Sequence, residues 1–185
     1  MSDLYDPNYY ITEAKQCIID GYQKAGDLYQ KAAILYLSEM KLSDAAFSFS
    51  KAGDNYSKCD HIKAKHCYSR SADYYFYVNE LEAASNIYVK LGNINITDND
   101  KTSAALCYEK AYDGFKYIEK ENEGIIYLLQ AIDININNEE YYRAITNLER
   151  VSAYYYSIDD IKYKKIDYDI TMIKIYLNDY SDLDS

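Results

Sequence analysis

The sequence predicts an all-α fold, an α-solenoid of antiparallel helical hairpins with about 40 residues in each hairpin. Three observations lead there. A stripe of small and aromatic residues recurs along the chain, 185 residues hold only one proline and six glycines, and capping side chains stand between the stripes. The stripe is clearest over 45–75, where Ala45, Phe49, Ala52 and Tyr56 fall at offsets 0, 4, 7 and 11, one face of a helix. Nineteen residues later Ala64, Tyr68, Ser71 and Tyr75 repeat those offsets. Small residues let two helix axes approach to roughly 8 Å while aromatics fill the flanking grooves. Such a unit cannot bury its stripe alone, and similar neighbours supply the cover.

The leading small residues of the repeat are Ala25, Ala45, Ala64, Ala83, Ala104, Gly124 and Ala144, with spacings of 20, 19, 19, 21, 20 and 20. Four residues on stand Tyr29, Phe49, Tyr68, Ile87, Tyr108, Leu128 and Leu148. The third row is Ala32, Ala52, Ser71, Lys90, Ala111, Ala131 and Val151, in which Lys90 reads as a break. The fourth is Tyr36, Tyr56, Tyr75, Ile94, Phe115, Asn135 and Tyr155. One helix of about 16 residues and a short turn fit each period.

Residues 1–6 read as a loose N-terminus. Asp6-Pro7 starts a first helix over 7–19, with Pro7 at the first helical position where its missing N–H costs nothing. Helices follow at 21–38, 43–57, 61–77, 80–95, 101–116, 120–136 and 139–155, and a further one at 159–177. Ser43, Asp60, Asn79 and Asp100 stand where N-caps belong, because their side chains accept orphan backbone N–H groups. The segment 95–100, NITDND, reads as the clearest inter-helix loop. The helical array thus spans 7–178 as one domain, and 179–185 is a short acidic tail.

A net charge of −10 argues against non-specific binding of nucleic acid or anionic lipid. The longest purely apolar run, AAILYL at 32–37, is too short to span a bilayer, and the N-terminus lacks a basic, apolar targeting segment. Cys17, Cys59, Cys67 and Cys107 read as free thiols in a reducing compartment, so the expected location is cytoplasmic. No phosphate-cradling glycine loop, H-E-x-x-H or C-x-x-C is present, and the chain is not expected to be an enzyme or to hold a cofactor. Cys59, His61, His66 and Cys67 lie within nine residues and raise the question of a metal site. On a helix His61 shares a face with Lys65, whereas His66 and Cys67 project elsewhere, so these residues read as structural or incidental and no metal is expected. Glu119, Glu121 and Glu123, like Asp159 and Asp160, read as solvated turns and helix ends. Tyr9-Tyr10, Tyr74-Tyr75, Tyr141-Tyr142 and Tyr154-Tyr155-Tyr156 each place a ring off the main stripe, where a partner could touch it.

The stretches SDAAFSFSKAGDNYSK (43–58), KAKHCYSRSADYY (63–75) and SAALCYEKAYDGF (103–115) resemble soluble NSF attachment proteins, the SNAP family. GDLYQKAAILYL (26–37) and KYKKIDYD (162–169) match the same family in order and spacing, so the resemblance covers roughly 10–177. The period of about 40 residues per hairpin distinguishes it from tetratricopeptide repeats of about 34, although the array is TPR-like in kind. The resemblance implies an adaptor in vesicle fusion and membrane trafficking. Members of that family lie along the four-helix SNARE bundle with basic residues of a concave face, touch the membrane peripherally through an apolar N-terminal loop, and engage the AAA ATPase NSF through a C-terminal helical region.

On that resemblance Lys58 and Lys162 are the partner-binding residues, standing where the family has concave-face lysines. Glu80, Asn86, Ile126 and Gln130 stand where it has other basic residues. The Phe-rich loop has no counterpart beyond Tyr9, Tyr10 and Ile11, and the sequence ends about where the family's C-terminal bundle begins. The expectation is therefore an adaptor or decoy that occupies SNARE-type bundles without full NSF activation. A generic scaffold for an unrelated protein partner is the alternative, and self-association through the open ends of the array is a third expectation.

Overall fold

A computed structural model describes residues 6–17 and 21–181 of the chain, with side chains as far as 177 in the last helix. Nine helices account for nearly all of them: α1 (Pro7–Gln16), α2 (Tyr22–Ser38), α3 (Leu42–Tyr56), α4 (His61–Tyr77), α5 (Leu81–Thr97), α6 (Lys101–Tyr117), α7 (Glu121–Asn137), α8 (Tyr141–Ser157) and α9 (Lys162–Ser181). No strand occurs among the described residues. Of the expected loose start at 1–6 and acidic tail at 179–185, residues 1–5 and 182–185 lie outside the described residues, whereas Asp6 caps α1 and α9 runs on to Ser181; residues 18 and 19, the end of the expected first helix, also lie outside them.

The chain divides into two compact units, Met1–Asn99 and Asp100–Ser185. In the first, α1 packs on α2, α2 on α3, α3 on α4 and α4 on α5; in the second, α6 packs on α7, α7 on α8 and α8 on α9. Within each unit every helix covers its sequence neighbours, and the fold class is the all-α solenoid of antiparallel hairpins that the repeat predicts. The four rows are its core. Ala45, Phe49, Ala52 and Tyr56 have no exposed surface, and neither do Ala64, Ala104, Ala111, Leu128, Ala131, Ala144 and Val151.

One helix is out of the expected register. Ala83 is only half-buried, whereas Ala84, Leu91 and Asn95 are buried. With Ala84 in the leading row the spacings become 20, 19, 20, 20, 20 and 20, matching helices that begin at Leu42, His61, Leu81, Lys101, Glu121 and Tyr141. Lys90 is therefore no break in the packing row, since Leu91 fills that place. Adjacent alanines gave the pattern no means to choose.

The turns close in a common way that the composition hides. Met40, Asn79, Asn99, Glu119, Glu139 and Asp159 have φ between 55° and 62°. The residue after each of five of them bonds back to the helix, as Glu80 N–H does to the Tyr75 carbonyl at 2.8 Å and Lys120 N–H to that of Phe115 at 2.8 Å. This is the Schellman closure, normally made with glycine. The α3–α4 turn does without it: Asp60 N–H reaches the Tyr56 carbonyl at 2.6 Å, and the period there is one residue short. Met40 is 77% exposed, so its side chain contributes little packing to offset the left-handed backbone. Met40→Gly is expected to stabilise the fold by about 0.5–1 kcal/mol. A urea midpoint that stays put or falls would show that the turn is unstrained.

Asp6, Asp60 and Asp100 cap as expected, accepting from the N–H groups of Asn8, Lys63 and Ser103. Ser43 and Asn79 do not. Ser43 lies inside the first turn of α3, whose N-cap is Lys41, and its hydroxyl donates to Glu80. Asn79 is the left-handed residue of its turn, and Glu80 is the N-cap of α5. The expected loop at 95–100 also shrinks, because α5 continues to Thr97 and Asn95 is 5% exposed.

The Ala-Gly-Asp segments of α2 and α3 have a specific packing purpose. A Cβ on Gly26 would stand 2.7 Å from the Tyr56 ring, and one on Gly53 would stand 2.6 Å from the Tyr68 ring. Each glycine lets a tyrosine ring lie directly on the helix backbone. The next residue then takes the hydroxyl: Tyr56 donates to Asp27 at 2.5 Å, and Tyr68 donates to Asp54 at 2.7 Å. Burial and these carboxylates push both phenols well above the ordinary tyrosine range.

Candidate partner-binding surface

The two expected contact lysines differ in their surroundings. Lys58 is exposed in the α3–α4 turn, and no ion-pair partner reaches it among the described residues. Lys162 opens α9 and is exposed, but its ammonium lies 3.1 Å from the Asp160 carboxylate and 4.9 Å from the centre of the Tyr155 ring. The Lys162 backbone N–H and then its ammonium hold the Asp160 carboxyl below the usual carboxylate range. Lys58 belongs to the first unit and Lys162 to the second, and each is described within its own unit.

Several other cations tie helices of one unit together. Lys63 on α4 reaches Asp27 on α2 at 3.7 Å, and Lys90 on α5 reaches Asp54 on α3 at 2.6 Å. Arg150 on α8 pairs with Asp113 on α6. The spacings are 36, 36 and 37 residues, so each bond joins a helix to the one two places on. Arg143 on α8 adds a 3.0 Å pair with Glu109, a carboxylate that also accepts from Asn147 at 2.7 Å and Asn135 at 3.3 Å. Asp27 and Asp54 therefore serve a tyrosine and a lysine at once. These ties escaped the reading of the sequence. The signal that finds them is an acid on one helix followed by a base 36 or 37 residues later.

The four positions where the family resemblance calls for basic residues all reach solvent. Asn86 and Gln130 are exposed, Ile126 is 51% exposed, and Glu80 is exposed while accepting from Ser43. None of the four supplies a positive charge, and Glu80 supplies a negative one.

The cysteine–histidine stretch is dispersed. His61 Nδ1 meets Asp98 at 2.6 Å, and Lys65 meets the same carboxylate at 2.5 Å. Lys65 first and His61 second hold the Asp98 carboxyl below its usual range. Cys67 is 1% exposed, and burial pushes its thiol up to about 11. Cys59 and His66 are exposed. Among the described residues no three His, Cys, Asp or Glu side chains gather as a metal site would require. The off-stripe tyrosines at helix ends do reach solvent, with Tyr77, Tyr117, Tyr142 and Tyr156 each at least 70% exposed. No described helix is long and apolar enough to cross a membrane.

Comparison with known proteins agrees with this geometry. No curated protein matches the chain by sequence. Among solved structures, the crystal structure of BtubC (BKLC) from P. vanneervenii is similar at a TM-score of 0.51 and 14% identity, over 92% of this chain and 72% of that one. At that identity the likeness speaks for the fold alone. The model of the soluble NSF attachment protein family, SNAP, matches residues 14–182, which takes in all but the first turns of the described array. The chain belongs to the soluble NSF attachment protein family.

Proposed function

We propose that this protein is a SNAP-type adaptor that binds SNARE-type four-helix bundles weakly on the cytoplasmic side of membranes. The match of the family model to residues 14–182 carries the reading. The weakness follows from the charges. Lys58 is free to meet an acidic bundle, whereas Lys63, Lys90, Arg143, Arg150 and Lys162 are already paired within the chain. An exposed ion pair contributes roughly 0.2–1 kcal/mol, so the attraction is shallow and salt-sensitive against a net charge of −10.

The test is a disassembly assay with an authentic SNAP present and this protein titrated in, at low and at physiological salt. Expected is binding to assembled bundles at low salt that fades as salt rises, read as a salt-dependent change in the rate of ATPase-driven disassembly. Absence of bundle binding at low salt would remove SNARE engagement, and the array would then be a scaffold for a different protein partner.

A further inference from the structure

The second unit holds a buried polar cluster in the middle of its apolar packing. Asn135 on α7 has no exposed surface and Asn147 on α8 is 2% exposed. Both amides donate to the same oxygen, Oε1 of Glu109 on α6, at 3.3 and 2.7 Å. Arg143 on α8 donates to Oε2 of that carboxylate at 3.0 Å. One side chain of α6 thus holds donors from two further helices. The bonding is incomplete, because Asn135 Oδ1 is buried with no hydrogen-bond partner among the described residues. An amide oxygen left in that state lowers stability, and Tyr56, Phe115 and Tyr155 fill the same row in other helices with a ring. Stability does not account for asparagine at 135.

The repeat itself supplies a reason. Its small and aromatic rows recur about every 20 residues, so a helix seated in a neighbour's place still buries its stripe. Misassembly of that kind is a characteristic failure of repeat proteins. Only buried groups that break the period discriminate the right helix from the wrong one. Asn147 breaks it: Leu28, Ser48, Cys67, Ile87, Cys107 and Tyr127 stand at its place in α2 to α7. We propose that Glu109, Asn135 and Asn147 form a register key that selects α7 and α8 as the neighbours of α6. Any of those other helices in the place of α8 leaves the half-buried Glu109 carboxylate without the amide at 2.7 Å. A partly satisfied polar cluster is worse than an apolar one, so the wrong arrangement is penalised more than the right one. The key selects one arrangement at a cost in stability, as a single buried asparagine does in a coiled coil.

Two variants of the full chain separate selection from stabilisation. Glu109→Met removes the acceptor and leaves both buried amides unpaired, so its urea midpoint is expected to fall by about 1 M. The combined variant Glu109→Met, Asn135→Leu, Asn147→Leu removes all three polar groups. Arg143 then keeps Glu140 at 3.4 Å, and Arg150 keeps Asp113. The urea midpoint of the combined variant should equal or exceed that of the unaltered protein. Its amide proton–nitrogen correlation spectrum should show multiple or broadened signals for residues of α6, α7 and α8. One sharp signal per residue in the combined variant overturns the proposal, since the fold is then unique without the key. A midpoint below that of the unaltered protein overturns it too, because the cluster is then a source of stability. So does an unchanged midpoint for Glu109→Met, which would mean that the amides do not depend on that carboxylate.

Discussion

Above about pH 10 the protein is expected to lose its helices cooperatively, because buried phenols hold their protons in the fold and release them once unfolded. Tyr56, Tyr68 and Tyr112 are pushed well above the ordinary range, by burial first and then by the carboxylates of Asp27, Asp54 and Glu121 that their hydroxyls donate to. Burial, with Glu80 and Asp44 nearby, pushes Tyr75 up to about 12. The sign follows from the proton count. Below the unfolded value both states keep the phenol proton, and the stabilisation is whole. Above it the unfolded chain sheds the proton and the folded chain does not, so stability falls as pH rises from about 10 toward about 12. Each tenfold preference is worth about 1.4 kcal/mol, and the four residues act in the same direction. Cys67, pushed up to about 11, acts in the same direction. Circular dichroism and tyrosinate absorbance followed together through the alkaline range check this. Helix content that survives while all the tyrosines ionise near their free value would refute it. Tyr68→Phe would raise the pH of collapse if the phenol is a cause of it.

Phe49→Ala is expected to cost about 3–5 kcal/mol, the range for deleting a fully buried aromatic ring. Phe49 has no exposed surface. Its ring stacks with Tyr74 at 6.0 Å and lies under the Arg70 guanidinium at 4.6 Å, so truncation removes both ring contacts as well as the buried area. Against about 5–15 kcal/mol of total stability, that loss brings the fold near its midpoint at room temperature. Phe49→Leu, which keeps most of the volume, should cost less than about 1.5 kcal/mol. Urea unfolding of the two variants separates a cavity from a generic core effect. Equal, small losses in both would place Phe49 at the periphery of the packing.

The interior of the array was legible because its cause is local. A stripe at offsets 0, 4, 7 and 11 lies on one helix face whatever surrounds it, and every helix that the pattern proposed is present. Asp6, Asp60 and Asp100 could also be read directly, since a cap bonds within three residues of itself. The expected contact lysines were only partly legible. The sequence places Lys58 in a turn and Lys162 in the last helix, but does not show the Asp160 carboxylate that pairs with Lys162.

Sequence pattern by itself determined the helical class, the period and most of the buried rows. Tertiary structure decided what depends on the neighbouring helix or on backbone handedness. Ala83 and Ala84 are the same residue type, and only the start of α5 at Leu81 places the second in the core. Met40, Glu119 and Asp159 carry no mark of the left-handed backbone they adopt, because a turn closed between two packed helices imposes it on whatever residue stands there. The ties Asp27–Lys63, Asp54–Lys90 and Asp113–Arg150 join residues 36 or 37 apart. Such pairs come within reach only after two intervening turns have stacked alternate helices, which is why a count of lysines overstates the positive charge this protein can offer a partner.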